Sequence, residues 1–159
     1  MTGDGQSRIA KLELDTGTII RWNPEVEHER QVAIFDLLER NLFALENGFA
    51  GPYHVELSLD DSTLVFRVRD ITDSHRTEIK VSVRPFRTII KDYFLICDSY
   101  FQAIKTASPS RIEAIDMGRR GLHNEGAQQL ADALDGRIRV DDETARRLFT
   151  LICVLHIRG

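Results

Sequence analysis

His54-Val55-Glu56-Leu57-Ser58-Leu59, Leu64-Val65-Phe66-Arg67-Val68-Arg69 and Ile79-Lys80-Val81-Ser82-Val83-Arg84 are runs in which apolar residues recur at every second position. Successive side chains of a strand point to opposite faces, so each run buries one face and wets the other. Short polar stretches, Asp60-Asp61-Ser62 and Thr72-Asp73-Ser74-His75, separate them and are rich in residues that favour turns. Connections this short join antiparallel neighbours. The runs therefore predict an antiparallel meander with one buried face.

Upstream, Arg8 to Leu14 alternates more loosely and is a candidate first strand. Asp15-Thr16-Gly17 reads as a turn. Asn23-Pro24 then reads as a helix N-cap followed by proline at the first helical position. Glu25, Glu27 and Glu29 suit the positive end of a helix dipole. Val26, Ala33, Ile34, Leu37 and Leu38 keep helical spacing, which predicts a helix from about Pro24 to Leu42. Asn47-Gly48 and Gly51-Pro52 break the chain before the meander.

Downstream, Pro85 ends the sheet and opens a long helix. Phe86, Ile89, Ile90, Tyr93, Cys97, Tyr100, Phe101 and Ile104 fall on one face, and Phe94, Leu95 and Ile96 widen it, so this helix is expected to be heavily buried. Ser108-Pro109 restarts a helix that runs past Gly118 and Gly121 towards Leu134, where Asp135-Gly136 closes it. Ile138 and Val140 suggest a short last strand. Asp141 or Asp142 caps a final helix that is apolar nearly all round, which requires burial in this core or against a second subunit. Segregated strands and helices give an α+β class: an antiparallel three- to five-stranded sheet packed against four to five helices. Residues 1–7 are expected to be a disordered terminus, and 8–159 one domain.

The chain has 159 residues, 42% hydrophobic and 29% charged, with a formal net charge of −4. That composition is globular, and its acidic balance argues against nucleic acid as a partner. The two cysteines, Cys97 and Cys153, lie far apart among apolar residues and read as reduced, buried thiols of a cytoplasmic protein. The start of the chain lacks the pattern of a signal peptide. The longest apolar stretch, Leu148 to Leu155, is interrupted by Thr150 and is too short to span a bilayer.

No phosphate-binding loop, dinucleotide fingerprint, nucleophile elbow or zinc-protease motif occurs, so no cofactor is indicated. The scattered histidines and cysteines lack metal-ligand spacing. The densest polar cluster is Asp116-Met117-Gly118-Arg119-Arg120-Gly121-Leu122-His123-Asn124-Glu125-Gly126. In a helix, Asp116, Arg120 and His123 or Asn124 share one face. Each glycine inside a helix costs roughly 1 kcal/mol relative to alanine, so close backbone approach, a bend or a ligand is expected there. One reading is an anion site, with Arg119 and Arg120 holding phosphate or carboxylate and His123 as acid or base. The plainer reading is a glycine-bent junction with salt bridges to Asp116 and Glu113. Arg146 and Arg147, near the start of the last helix, pair with Asp141, Asp142 and Glu143, or else join the other arginines in one basic pocket.

Four blocks carry a resemblance: Pro24-Glu25-Val26-Glu27-His28-Glu29-Arg30; Lys91-Asp92-Tyr93-Phe94 with Ile96-Cys97; Ile112 through Gly126, centred on Asp116-Met117-Gly118-Arg119-Arg120-Gly121-Leu122-His123; and Thr144-Ala145-Arg146-Arg147-Leu148-Phe149-Thr150-Leu151-Ile152-Cys153-Val154-Leu155-His156. In these blocks the chain resembles the bacterial uncharacterised protein family 0262 over nearly its whole length. The resemblance implies a bacterial cytoplasmic protein, no established activity, and no functional residue to carry over. Two functions from different classes stand beside it. One is a non-catalytic binding or regulatory module that meets itself or another protein. The other is an enzyme or sensor for a small phosphorylated or carboxylated ligand at 116–126. RNA binding through the arginines ranks below both, because no aromatic stacking motif accompanies them.

Overall fold

The computed structural model describes residues 6–15 and 24–156, and for 24–26 the backbone only. In chain order come β1 (Ile9–Asp15), α1 (Pro24–Glu39), β2 (Phe43–Leu45), β3 (Tyr53–Asp60), β4 (Thr63–Asp70), β5 (Arg76–Ser82), α2 (Arg87–Thr106), α3 (Pro109–Leu134), β6 (Ile138–Val140) and α4 (Asp142–His156). A single 3-10 turn, Arg84–Phe86, leads into α2. The expected cap at Asn23, the turn at Thr16-Gly17 and most of the expected disordered terminus lie outside the described residues.

The α+β class and the meander follow the alternation. β3, β4 and β5 pair antiparallel, with Leu57 opposite Phe66 and Phe66 opposite Ile79. Tyr53, Val55, Leu57, Leu64, Phe66, Val68 and Val81 are buried on the helix side. The other side carries charge: Arg67 pairs with Glu56 at 3.5 Å on one neighbouring strand and Glu78 at 3.0 Å on the other. Asp61 takes a left-handed backbone, φ 59°, in the tight turn between β3 and β4. The Asp70 carboxylate holds the next turn by accepting from the Ser74 backbone N–H at 2.8 Å.

One correction concerns strand direction. β1 pairs with β3 in parallel, giving the order β1-β3-β4-β5 and a mixed rather than wholly antiparallel sheet. The chain between these strands passes through a whole helix, and a crossover of that length lets strands run the same way. A second correction is at the end of α1, which stops at Glu39, short of Leu42. The Asn41 side chain accepts from Ile9 N–H at 2.7 Å and donates to the carbonyls of Leu37 at 2.7 Å and Ile9 at 3.1 Å. It thereby satisfies a helix-end carbonyl and ties the chain to β1. Phe43–Leu45 then pairs antiparallel with Ile138–Val140 as a small second sheet.

The helices follow their apolar faces with one difference. α2 buries Ile89, Ile90, Tyr93 and Cys97, but Leu95 and Ile104 are 60% and 50% exposed, so its buried face is narrower than expected. α3 is one continuous helix of 26 residues through all three glycines of the polar cluster, with Ser108 capping its start. α4 is buried on nearly every side, from Thr144 and Ala145 through Leu148, Phe149, Leu151, Ile152, Cys153, Val154 and Leu155. It packs against α1, α3 and β3 of its own chain.

The glycines of α3 differ in their reasons. A methyl group at Gly126 would overlap the ring of Phe149, and one at Gly118 would come within 2.8 Å of Ile96 Cδ1. At Gly121 it would meet nothing within 4 Å, and nothing in the structure explains that glycine. Gly126→Ala is therefore expected to destabilise the protein by about 1–3 kcal/mol through overpacking. Gly121→Ala is expected to stabilise it by up to about 1 kcal/mol through helix propensity. Urea unfolding of the two variants measures both; equal effects at the two sites would contradict this packing of α3 on α4.

Candidate functional site

α1 and α4 pack side by side, and each turns a row of side chains at i, i+3, i+4 and i+7 towards one cleft. Residues at that spacing share one face of a helix. α1 supplies Glu29, Val32, Ala33 and Asp36, with His28 beside them, and α4 supplies Glu143, Arg146, Arg147 and Thr150. His123 of α3 completes the lining of a cleft of about 290 Å³. That volume is at the lower end of small-molecule sites.

His123 is the most constrained of these residues. Its ring lies between Tyr93 of α2, with centroids 5.3 Å apart, and Phe149 of α4, at 5.4 Å and edge-on. Its Nε2 is 2.7 Å from Thr150 Oγ1. Thr150 in turn donates to the carbonyl of Arg146 at 3.3 Å, so the pattern assigns Nε2–H as donor to the hydroxyl and leaves the lone pair on Nδ1. Burial, then the positive charges of Arg146 and Arg119, push the imidazole pKa down to about 4. At neutral pH this ring is uncharged, and as an acid or base it is poorly matched to neutral conditions.

Arg119 stands behind the cleft. Its guanidinium bonds Asp116 at 2.6 Å and lies 4.7 Å from the centre of the Tyr100 ring. Asp116 also pairs with Arg120 at 3.0 Å, and these bonds hold its carboxyl below the usual range. Glu29 is shifted the other way, upward, by burial, with Arg119 and His28 opposing. Burial pushes the Cys97 thiol up to about 11 and raises Cys153 and Tyr93 as well. Both cysteines are free and buried. Among the described residues no group of three or more His, Cys, Asp or Glu is placed to hold a metal ion.

The profile of the Uncharacterised protein family (UPF0262) matches residues 6–158. The chain belongs to this family. UPF0262 proteins similar to it occur in Rhodospirillum rubrum, 58% identical over 95% of this chain and 93% of the relative, and in Rhizobium meliloti, 57% identical over the whole of both. A third, from Paramagnetospirillum magneticum, is 54% identical over 97% of this chain and 98% of its own. No solved structure matches the chain. Among the described residues, no helix is long and apolar enough to cross a membrane.

Of the family member's residues singled out from sequence, His123, Arg146 and Arg147 line the cleft together, and Arg119 acts on it from behind by charge. Asp116, Arg120 and Asn124 are not in the lining; the Arg120 side chain is 74% exposed. Arg146 and Arg147 both pair with Glu143, at 2.6 and 3.0 Å. Sequence reasoning did not single out Glu29, Asp36 and Thr150. The signals were present: Glu29 and Asp36 are seven residues apart on one helix, and Thr150 is the lone polar residue within Leu148 to Leu155.

The position of His123 carries a pH dependence. Its folded pKa lies below the 6.5 of an ordinary histidine, so the unfolded chain takes up the proton first as pH falls. The stability it lends is whole above pH 6.5 and is lost as pH drops towards about 4, by about 3 kcal/mol. Urea unfolding at pH 7 and pH 4.5 of the parent and His123→Gln is expected to show a smaller pH effect in the variant. Parallel pH profiles would contradict the burial of a neutral imidazole.

Proposed function

We propose that this protein is a cytoplasmic, non-catalytic binding module that takes a small carboxylate- or phosphate-bearing ligand in the cleft between α1, α3 and α4. The observation that carries this reading is the meeting of Arg146, Arg147, Thr150 and His123 from two helices on one cleft of about 290 Å³. A guanidinium has five N–H donors, and Glu143 takes up only part of those on each arginine, so both keep donors for a planar anion. The uncharged His123, its ring held by Tyr93, Phe149 and Thr150, is poorly matched to proton transfer at neutral pH, which favours binding over catalysis. Two free, buried thiols fit a reducing compartment.

The test is a thermal-shift screen with inorganic phosphate, sugar phosphates, nucleotides and amino acids. A ligand at 100 times its Kd adds about 2.7 kcal/mol, which for a chain of this size raises Tm by roughly 5–10 °C. Arg146→Gln with Arg147→Gln is expected to abolish that rise, and Arg120→Ala and Asn124→Ala to leave it. A screen without a shift, or a shift indifferent to the arginine pair, removes this reading.

Self-association is the other reading, favoured by Val32 and Phe35, three residues apart on α1 and 41% and 64% exposed. The apolar girth of α4, which suggested a second subunit, is covered by the chain itself. Light scattering after size exclusion decides: a dimer that Phe35→Ser turns into a monomer supports it, and a parent monomer ends it.

A further inference from the structure

Arg146 and Arg147 pair with Glu143 on their own helix and not across the cleft. On the facing wall, Glu29 and Asp36 make no ion pair within 4 Å with any described residue. Of the three carboxylates that line the cleft, Glu143 pairs with both guanidiniums, while Glu29 and Asp36 face them unpaired from the other wall. Both walls are anchored in the core: Ala33, midway along the α1 row, is buried, and so are Leu148, Phe149 and Ile152 of α4.

This arrangement discriminates between ligands by charge. A simple anion on the arginines also meets the negative wall of α1, and a simple cation on the acids meets the arginines; each arrangement is weakened by like-charge repulsion at short range. A molecule carrying both charges answers both walls. Glu29 and Asp36 are seven residues apart, which is about 10 Å along a helix, so the acidic wall spans the cleft. The aliphatic part of such a molecule has Val32 and Ala33 to lie against.

We propose that the cleft binds a small zwitterion of the amino-acid type, an amine joined by a short chain to a carboxylate or phosphate. The anionic end lies on Arg146 and Arg147, and the ammonium lies on the α1 wall, where Glu29 and Asp36 supply carboxylates. The inference rests on the cleft being the ligand site, as proposed above, and names its ligand class.

Isothermal titration of the full chain with the twenty L-amino acids, β-alanine and O-phosphoethanolamine tests it, each beside its N-acetyl derivative. Acetylation keeps the anion and removes the cation. At least one parent compound is expected to bind ten-fold or more tighter than its N-acetyl form. The double variant Glu29→Gln, Asp36→Asn is expected to lose that preference, weakening the zwitterion at least ten-fold and leaving the N-acetyl compound within two-fold. Arg146→Gln with Arg147→Gln is expected to weaken both. Equal binding of parent and N-acetyl forms overturns the zwitterion and leaves an anion cleft standing. No binding by any compound of either kind, together with an empty thermal-shift screen, overturns both. Should the acid variant fail to fold by circular dichroism, the comparison of parent and N-acetyl compounds on the unaltered chain decides alone.

Discussion

The ring of Phe149 lies against Gly126, where α3 has no side chain, and the rest of the arrangement depends on that contact. It sets how closely α3 and α4 approach. His123 precedes Gly126 by one helical turn, and Thr150 follows Phe149 directly, so the same approach brings Nε2 to 2.7 Å from Oγ1. The start of α4 buries Thr144 completely, and its hydroxyl accepts from the Leu42 backbone N–H at 2.9 Å. The segment after α1 is thereby held to α4, which helps turn the Glu29–Asp36 face of α1 towards the arginines. One missing side chain on α3 is thus linked by short steps to the geometry of a cleft formed mainly by the other two helices.

The meander was legible because its signal is local: a period of two repeated over three runs cannot be satisfied by a helix. The small β2–β6 sheet was half legible. Ile138 and Val140 alternate, but Phe43–Leu45 is three residues long and pairs with a segment nearly a hundred residues away, so nothing local marks it. The direction of β1 was hidden for a related reason, since it depends on the path of the crossover and not on the side chains of the strand. The continuity of α3 defeats propensity alone. Its glycines weaken an isolated helix, but at Gly126 and Gly118 the loss is offset by the packing of Phe149 and Ile96 in the space they leave.

The site was legible in pieces. His123 with Arg119 and Arg120 drew attention as charged or titratable residues among glycines, and Arg146 and Arg147 as cations near a helix N-terminus, yet sequence could not bring α3 and α4 together. Within 116–126 the expected face was Asp116 with Arg120 and His123 or Asn124. In the structure Asp116 serves both Arg119 and Arg120, while Arg120 and Asn124 turn away from the cleft that His123 lines. Glu29 looked like a favourable charge in the first turns of α1. Its second position, beside a cleft and close enough to Arg119 to feel its charge, arises only from tertiary packing.

Burial acts in one sense on several groups around the His123 end of the cleft. Burial lowers His123 and raises Glu29, Cys97, Cys153 and Tyr93, which in every case favours the neutral form. A cysteine nucleophile needs its thiolate, and a general acid or base works best with a pKa near the operating pH. Near neutrality the thiols and the phenol stay protonated and the imidazole stays unprotonated, whereas the upward shift of Glu29 moves its carboxyl towards the neutral range. Arg119 keeps its charge, held by Asp116 and lying over Tyr100, and Arg146, Arg147, Glu143 and Asp36 form the rim of the cleft. Uncharged groups beneath a rim of two guanidiniums and two carboxylates give the cleft the means to recognise charge on a ligand, and this is the physical ground on which we propose that it binds one.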